Sequence, residues 1–492
     1  MERVRRATPC LFICAALLSS GNANPGTDTD SAPTSSAIAD TGITAFEAVT
    51  VIPMDSDRVL PNQTVLTRDG RITAMGPAGT LSIPPQTHRI DGRGFFLMPG
   101  LVDMHVHLMG GDEMSDEFPM FLAYGVTTIR QMSGAPSVLA MRRRVSAGEV
   151  LGPTIFTVGV LIDGSPPVFH GGSIVATTPE QAREAVDRQK QAGYDEIKVY
   201  DNLLLPQFDS VVAEAARVGI PVVGHVPKDV PVEHALQAHM ASIEHLTGYL
   251  TYVQRADSPF VFRRQNANPQ AGTPQSVGHA EKDLLEMPKW VDPARVTEIA
   301  TLTANAGTWS VPTLVQLANA KRKEEYVTAW ERPGMQYVTK SMRDWWDSDV
   351  DSSEPAARAS LLSVRSSLVR ALHQAHAKLL VGTDTPHPFV LPGLSVHDEL
   401  RNFIAAGLTP YEALWSATRG PAEFLGTPKE FGVVASGARA DLLLLEANPL
   451  TDIDHALRIV GVMVHGRWLS KDRLQRNLED LASKKPSTVA HP

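Results

Sequence analysis

Hydrophobic and polar positions alternate in two different ways along this chain. In residues 41–97, and again in residues 431–475, the apolar runs are short and alternate with the period of two that is typical of β-strands. Between residues 98 and 430, short apolar runs are followed repeatedly by stretches with helical periodicity. This repeated order of strand and helix predicts a parallel sheet, and eight such units would close into a barrel.

A hairpin signal marks the first strand-rich segment. The dipeptide Asp69-Gly70 separates the apolar runs Thr64–Thr67 and Arg71–Met75, and this arrangement is typical of a two-residue β-turn. The segment 431–475, near the other end of the chain, has the same alternation of short apolar runs and turn residues. We therefore predict one small composite β-sandwich domain, built from residues 41–97 and 431–475.

The middle region contains eight candidate strands. They are Phe96–Met104, Val126–Ile129, Thr154–Val158, Glu196–Tyr200, Pro221–Gly224, Ser242–Ile243, Trp309–Leu314 and Leu379–Gly382. The predicted fold class is α/β, a (β/α)8 TIM barrel over residues 98–430. Because such barrels typically need about 250 residues, the excess is assigned to long loops over the active face, at 249–290 and 318–365.

The N-terminal residues predict export. Residues 1–23 combine a basic start, the apolar run Leu11–Leu18 and small residues before Ala23, which is typical of a signal peptide. The run is too short to cross a bilayer as a helix, which takes about 20 residues. We expect a polar linker at 24–40, a C-terminal tail at 476–492, and a periplasmic or secreted protein that has no membrane segment after cleavage.

The amino-acid composition limits the kinds of functional site that the chain can contain. The chain has 492 residues, a formal net charge of −9 and two cysteines, Cys10 and Cys14, both inside the predicted signal. A disulfide scaffold, a cysteine zinc site and a cysteine nucleophile are therefore excluded from the predicted mature protein. The acidic balance argues against a nucleic-acid partner.

Six polar residues lie at or near the ends of five apolar runs. A His-x-His pair alone is weak evidence, but strand ends at the carboxyl face are where barrel enzymes carry their functional groups. Four imidazoles with a carboxylate suit zinc or a similar divalent ion. The six residues, in strand order, are His105, His107, Lys198, His225, His245 and Asp384.

Their flanking sequences resemble the amidohydrolase superfamily, especially its imidazolonepropionase-like and Xaa-Pro-dipeptidase-like members. The resemblance covers nearly all of the predicted mature chain and implies a metal-bearing (β/α)8 barrel with a composite β-sandwich. The segments that carry it are Gly100–His107, Ile197–Tyr200, Gly224–Pro227, Ile243–Leu246, Gly382–Pro386, Gly437–Leu442 and Asn448–Leu450.

This resemblance also implies a ligand set and a reaction. Two Zn²⁺ ions per chain would be bridged by Lys198, carboxylated by CO2, and a hydroxide held between the ions would attack an amide or peptide carbonyl. Asp384 would act as the proton shuttle and as a metal ligand. The implied ligands are His105 and His107, together with Asp384, for the more buried ion, and His225 and His245 for the other.

Three further residues are candidates for substrate contact. His170 follows the third candidate strand beside two glycines, and the resemblance implies a catalytic, substrate-binding histidine there. Tyr200, two residues after Lys198, would face the same side and bind a substrate carboxylate or carbonyl. Arg130 is a weaker candidate, because this chain has Gln131 where relatives often have an aspartate.

Three functions remain open at this stage. The first is a metal-dependent amidohydrolase that acts on a small amide or peptide, such as a dipeptide or an N-acyl amino acid. The second is a mononuclear deaminase or cyclic-amide hydrolase, in which Lys198 is unmodified and His245 is catalytic. The third is an inactive homologue that binds a ligand. A homo-oligomer is compatible with the sequence.

Overall fold

A computed structural model describes residues 42–261, 281–320, 325–348 and 354–483. The predicted signal at 1–23, the predicted linker at 24–40 and the final part of the expected tail, 484–492, lie outside these residues. Within the described part of the chain, no helix has the length and apolar character needed to cross a membrane.

The described residues contain seventeen strands. In chain order these are β1 Thr44–Val51, β2 Leu60–Arg68, β3 Arg71–Pro77, β4 His88–Asp91, β5 Phe96–Pro99, β6 Leu101–Val106, β7 Val126–Gln131, β8 Thr154–Thr157, β9 Leu161–Asp163, β10 Ser173–Val175, β11 Ile197–Val199, β12 Val222–Gly224, β13 Ser242–Glu244, β14 Trp309–Val311, β15 Leu442–Leu445, β16 Ile459–Val464 and β17 Arg467–Ser470.

The same residues contain sixteen α-helices. These are α1 Phe118–Ala123, α2 Pro136–Ser146, α3 Pro179–Ala192, α4 Leu205–Val218, α5 Val232–Gln237, α6 Tyr249–Tyr252, α7 Glu281–Glu286, α8 Pro293–Ala306, α9 Leu314–Asn319, α10 Tyr326–Trp330, α11 Lys340–Ser348, α12 Pro355–Gln374, α13 Leu394–Ala406, α14 Pro410–Trp415, α15 Arg419–Phe424 and α16 Lys471–Ser483.

Both flanks of the chain contribute to one eight-stranded sheet. Its order is β17-β16-β15-β5-β1-β2-β3, with β4 also paired to β1. Asp69 and Gly70 both adopt positive φ, 50° and 76°, as the predicted tight turn between β2 and β3 requires. Side chains from both halves of the sheet share one apolar cluster, which includes Phe46, Ile72 and Met463. The sheet therefore encloses its own core.

A ring of parallel strands forms the barrel. Strands β6-β7-β8 make one run and β11-β12-β13-β14 make another; β9 follows β8 along the same side of β11, where Ile162 pairs with Val199, and shares the third strand position. A parallel bridge between Val158 and Glu196 joins the two runs. Residues 378–385 complete the ring, because their backbone hydrogen-bonds to β14 on one side and to β6 on the other, with Leu380 N donating to Ser310 O and Asp384 N donating to His105 O. The TIM-barrel prediction is confirmed.

Three predicted boundaries were wrong. The candidate strand Phe96–Met104 is divided at Gly100, where an added Cβ would meet the Thr127 side chain at 2.1 Å; residues 96–99 pair in the composite sheet and 101–106 start the barrel. The described residues of 318–365 are largely helical rather than a loop. The expected tail from 476 begins inside α16, which buries leucines spaced four and three residues apart.

Candidate metal centre

The carboxyl ends of the barrel strands bring the predicted ligands together. His105 lies in β6 and is fully buried, and His107 follows two residues later, on the same side of the strand. The Nε2 atoms of these two imidazoles lie 3.2 Å apart. Asp384, from the eighth strand position, places Oδ1 at 3.4 Å from Nε2 of His105 and at 3.2 Å from Nε2 of His107.

This spacing fits a divalent metal ion. Donor atoms bound to a tetrahedral ion at about 2.0–2.1 Å lie about 3.3–3.4 Å from one another. The three facing atoms of His105, His107 and Asp384 are separated by 3.2–3.4 Å. The cluster therefore has the donor types and the mutual distances that a bound ion requires.

Oxygen atoms orient three of the imidazoles from behind. A carboxylate at Nδ1 accepts the ring N–H and leaves the Nε2 lone pair available to a metal, which is the usual support of a metal-binding histidine, whereas a hydroxyl there orients the ring. The Nδ1 contacts are His105 to Glu244 Oε2 at 2.7 Å, His225 to Asp201 Oδ1 at 2.6 Å and His245 to Thr313 Oγ1 at 2.7 Å.

Burial influences which side chains of the cluster are neutral and which are charged. It lowers the pKa of His105, His107 and His245, so that these imidazoles are neutral, the form that binds metal. Burial opposes the charge on Asp384, but interaction with His387 and a hydrogen bond with His107 help to lower the pKa of this carboxyl well below its usual range. The site therefore presents neutral nitrogens beside a carboxylate.

A second group of predicted ligands adjoins the first. The ring of His245 lies 4.5 Å from that of His105 and 5.0 Å from that of His225, measured between centroids. Lys198, in β11, is 1% exposed, and burial lowers its pKa to about 8. Among the described residues, no carboxylate makes a salt bridge to this ammonium. The structure thus brings all six predicted ligands to one end of the barrel.

An unusual backbone conformation determines the direction of the His245 and Asp384 side chains. His245 and Asp384 have φ values of 57° and 64°, in the left-handed region that side chains other than glycine seldom adopt. Gly224 has φ of 119°, and an added Cβ would lie 2.9 Å from Cγ of Lys198. The strands therefore end in turns that redirect the chain at the ligands.

Tyr200 lies beside the second group, whereas His170 lies farther out. The Tyr200 ring stacks on the His225 ring with centroids 4.2 Å apart, and Nζ of Lys198 lies 5.5 Å from the Tyr200 centroid. Burial and nearby carboxylates raise the pKa of this phenol well above its usual value, so it remains a hydrogen-bond donor. His170 is exposed. It lies on the same loop as Phe169, whose ring centroid is 5.4 Å from that of Tyr200.

The predicted role of Arg130 in substrate binding was wrong. Its side chain is 0% exposed and lies beneath the imidazoles rather than in the open end of the barrel. Nε donates to Glu196 Oε2 at 2.7 Å, and Nη2 donates to Ser242 Oγ and to Glu244 Oε1. Because Glu244 also contacts His105, Arg130 supports the metal centre from the barrel interior.

Replacing Arg130 by methionine is expected to lower the free energy of unfolding by about 3–5 kcal/mol, because two buried carboxylates lose their shared partner. Urea unfolding followed by circular dichroism measures the change. Arg188→Met is the control, since Arg188 pairs with Glu184 at an exposed site, where such pairs contribute about 0–1 kcal/mol. Equal losses in both variants would contradict the interpretation.

Glu244→Gln is expected to weaken metal affinity by about 10–100-fold, the usual effect of changing the group behind a ligating histidine. The charge behind Nδ1 of His105 is lost while the side-chain shape is kept. Competition with a chromophoric chelator measures the affinity. Glu196→Gln is the matched control, because it also neutralises a partner of Arg130 without contacting His105; an equal loss of affinity there would refute the role of Glu244.

Several groups at the centre were missed by the sequence reasoning. His387 lies 3.4 Å from Asp384 Oδ2 and contacts Gln316 at 3.1 Å. Its position three residues after Asp384 was the available signal. Glu244 directly precedes His245, but nothing in that spacing indicates contact with His105.

A parallel barrel with a His-His-Asp cluster at the carboxyl ends of its strands defines a metal-dependent hydrolase site. The amidohydrolase family model matches residues 96–469, and the chain belongs to that family. Membership confirms the resemblance in the motifs, and the family together with its hydrolase-named relatives assigns the chain to hydrolases of carbon–nitrogen bonds.

Two curated relatives illustrate the sequence similarity. Ochratoxinase of Aspergillus niger is 23% identical over 477 residues, which cover 84% of this chain and 82% of that protein. Imidazolonepropionase of Symbiobacterium thermophilum is 38% identical, but over 73 residues only, so that the match covers 14% of this chain and 17% of the relative.

Solved structures extend the similarity over most of the fold. A bottromycin amidohydrolase superposes with a TM-score of 0.71 at 27% identity, covering 89% of each chain. A putative prolidase from Bifidobacterium longum superposes with a TM-score of 0.63 at 25% identity, covering 90% of this chain and 99% of the other.

Proposed function

We propose that this protein is a binuclear zinc amidohydrolase that cleaves the amide or peptide bond of a dipeptide or an N-acyl amino acid. The observation that supports the proposal most strongly is the convergence of Nε2 of His105, Nε2 of His107 and Oδ1 of Asp384 within 3.2–3.4 Å. The adjoining imidazoles of His225 and His245 would hold the second ion. Relatives that are named prolidase and ochratoxinase support an amide-type substrate.

In this proposal Asp384 moves the proton. Its Oδ1 faces the ligand nitrogens and its Oδ2 faces the partly exposed His387, so the carboxylate connects the ligand group with the open end of the site. Two bound zinc ions would polarise the scissile carbonyl and increase the acidity of water. Asp384 takes the proton of the attacking water and then delivers it to the departing nitrogen. The products are a carboxylic acid and an amine.

Lys198 is proposed to be carboxylated. Its side chain is buried without a salt bridge among the described residues, and the lowered pKa increases the fraction of neutral amine. The neutral amine adds to CO2 and releases a proton, which leaves an anionic carbamate with two oxygens. That group can contact both halves of the centre, whereas an ammonium would repel metal ions.

Tyr200 is proposed to hold the substrate. Its phenol remains protonated and is stacked on the His225 ring, next to the second group of ligands. The hydroxyl can therefore donate a hydrogen bond to the substrate carbonyl or to a substrate carboxylate. His170, on the exposed loop, would contact the substrate only where the substrate extends beyond Phe169.

A substrate panel combined with metal analysis tests the proposal. The zinc-loaded protein is expected to hydrolyse dipeptides or N-acyl amino acids, to lose this activity on chelation and to regain it when zinc is restored. Metal analysis should give about two ions per chain. One ion with activity on cyclic amides or amino-substituted bases would instead favour the mononuclear alternative. No bound metal and no turnover would favour an inactive binding protein.

A further inference from the structure

A cavity of about 490 Å³ adjoins the candidate metal centre. Its wall includes Asp201, whose carboxylate contacts Nδ1 of His225 at 2.6 Å. It also includes Val226 and Leu246, the residues that directly follow the ligands His225 and His245 in the chain. The cavity therefore begins at the carboxyl ends of β12 and β13, next to the proposed second zinc site.

Apolar side chains cover much of this cavity. They come from the loops after β12 and β13 and from helices α6, α7 and α12, and examples are Leu246, Leu250, Leu284 and Leu368. Pockets with mostly apolar walls and a few placed polar groups are typical of small-molecule sites. A hydrophobic group of a substrate would therefore be accommodated here.

Two arginines on the wall carry buried donor atoms without partners. Nη1 of Arg365, in α12, and Nε of Arg295, in α8, are both buried and donate no hydrogen bond to the described part of the protein. The Arg295 guanidinium is nevertheless held over the Tyr252 ring at 4.4 Å. Within the described ranges neither arginine forms a salt bridge. A buried donor that lacks a partner is uncommon and calls for an explanation such as a ligand.

The carboxylates on the wall do not neutralise these arginines. Asp201 contacts His225 and lies 3.3 Å from Nζ of Lys228, so its charge is already shared. Glu233 also lines the cavity but makes no salt bridge to either arginine. Three cationic side chains thus face two carboxylates, which leaves a positive excess in a largely apolar space.

Arg365 is also electrostatically linked to the reacting end of the site. Burial lowers the pKa of Arg365 to about 10, and the negative charge of Asp384 partly opposes that change. The guanidinium therefore remains charged at neutral pH. Its field reaches the carboxylate to which the proposed function assigns proton transfer.

We propose that Arg365 binds the carboxylate of the substrate, so that the substrate is an N-acyl amino acid or dipeptide with a free α-carboxylate and an apolar C-terminal side chain. This inference rests on the proposed function and specifies its substrate class. The carboxylate accepts hydrogen bonds from the guanidinium, in the planar two-point geometry that arginine favours. The apolar side chain packs against the leucines, and the scissile amide lies toward the ligands.

A matched pair of substrates tests this inference. The zinc-loaded enzyme is assayed with N-acetyl-L-phenylalanine and with N-acetyl-L-phenylalaninamide, which differ only in the negative charge at the C-terminus. The wild-type kcat/KM should favour the acid by about 10–100-fold, the range expected for hydrogen bonds to a charged group. Arg365→Met should abolish the preference, chiefly through a higher KM for the acid, with a much smaller effect on the amide.

Three variants locate the effect. Arg370→Met, on the exposed side of the same helix, should keep the wild-type preference. Arg365→Lys should retain part of it, because the charge remains and the two-point geometry is lost. If Arg295→Met removes the preference and Arg365→Met does not, the assignment to Arg365 is overturned. Thermal melts of each variant confirm that folded proteins are compared.

A binding measurement separates this inference from the proposed function. Titration calorimetry on chelator-treated protein, in which hydrolysis does not proceed, should show tighter binding of the acid than of the amide, and Arg365→Met should remove that difference. Equal handling of acid and amide by an active wild-type enzyme would overturn the inference and leave the proposed function intact. Absence of hydrolysis across the panel, with selective binding of the acid, would overturn the proposed function instead.

Discussion

Asp384→Asn is expected to lower kcat by about 10²–10⁴-fold, the range of a lost general acid–base group. The amide has nearly the shape of the carboxylate but cannot take a proton from water at neutral pH. In the folded protein the Asp384 pKa lies well below its usual range, so the wild-type carboxylate is ionised and available. Steady-state kinetics on zinc-loaded variant and wild type measure the loss, and metal analysis should show that much of the metal is retained.

Asp209→Asn is the control for this substitution. Asp209 is an exposed carboxylate that contacts His234 at 2.6 Å, so the same chemical change is made far from the proposed chemistry. It should leave kcat unchanged. Full activity in Asp384→Asn with zinc bound would refute the assignment of Asp384 as the proton shuttle.

Lys198→Ala is expected to reduce zinc from about two ions to about one per chain and to lower kcat/KM by about 10²–10³-fold, the scale of losing one group that stabilises developing charge. The reason is that the proposed carbamate supplies anionic oxygens to both halves of the centre. Metal analysis and kinetics measure the two effects. Formate or acetate should restore part of the activity, because a small carboxylate can enter the space left by the side chain.

The pH dependence of reactivation supplies an independent check on Lys198. Its pKa of about 8 in the metal-free protein means that the neutral amine increases as pH rises from 7 to 9. Because only this form adds CO2, zinc reconstitution should accelerate over that interval and should need bicarbonate. Lys190→Ala, at an exposed position, should behave as wild type. Two ions and full activity in Lys198→Ala would contradict the bridging role.

The positions of the predicted ligands follow from short-range pattern. His225 comes after Val222–Gly224, and Lys198 lies within an apolar run, so their placement at strand ends requires only the local alternation of side chains. Parallel strands carry such residues to one end of a barrel. This is why the six residues could be expected at one end of the barrel although they are up to 279 positions apart, from His105 to Asp384, whereas their roles as ligands were implied by the resemblance of their motifs.

The groups behind the ligands could not be predicted in this way. Arg130 also ends an apolar run, and the pattern did not distinguish a side chain that enters the barrel core from one that faces the substrate. Its partners Glu196 and Glu244 lie 66 and 114 positions later. Their distances from Arg130 depend on how the strands are staggered relative to one another. The spacing of apolar residues within one strand does not predict that stagger.

The order of amino acids therefore specifies the type of most barrel strands and of the β2–β3 hairpin, because side-chain period, turn dipeptides and strand ends act over a few neighbouring residues. Contacts between remote segments specify the rest. Glu244 supports His105 across 139 positions, and Arg365 reaches the cavity from a helix in a region expected to be a loop. The energies of such contacts arise only when barrel closure removes water and brings charges close enough to compete with hydration.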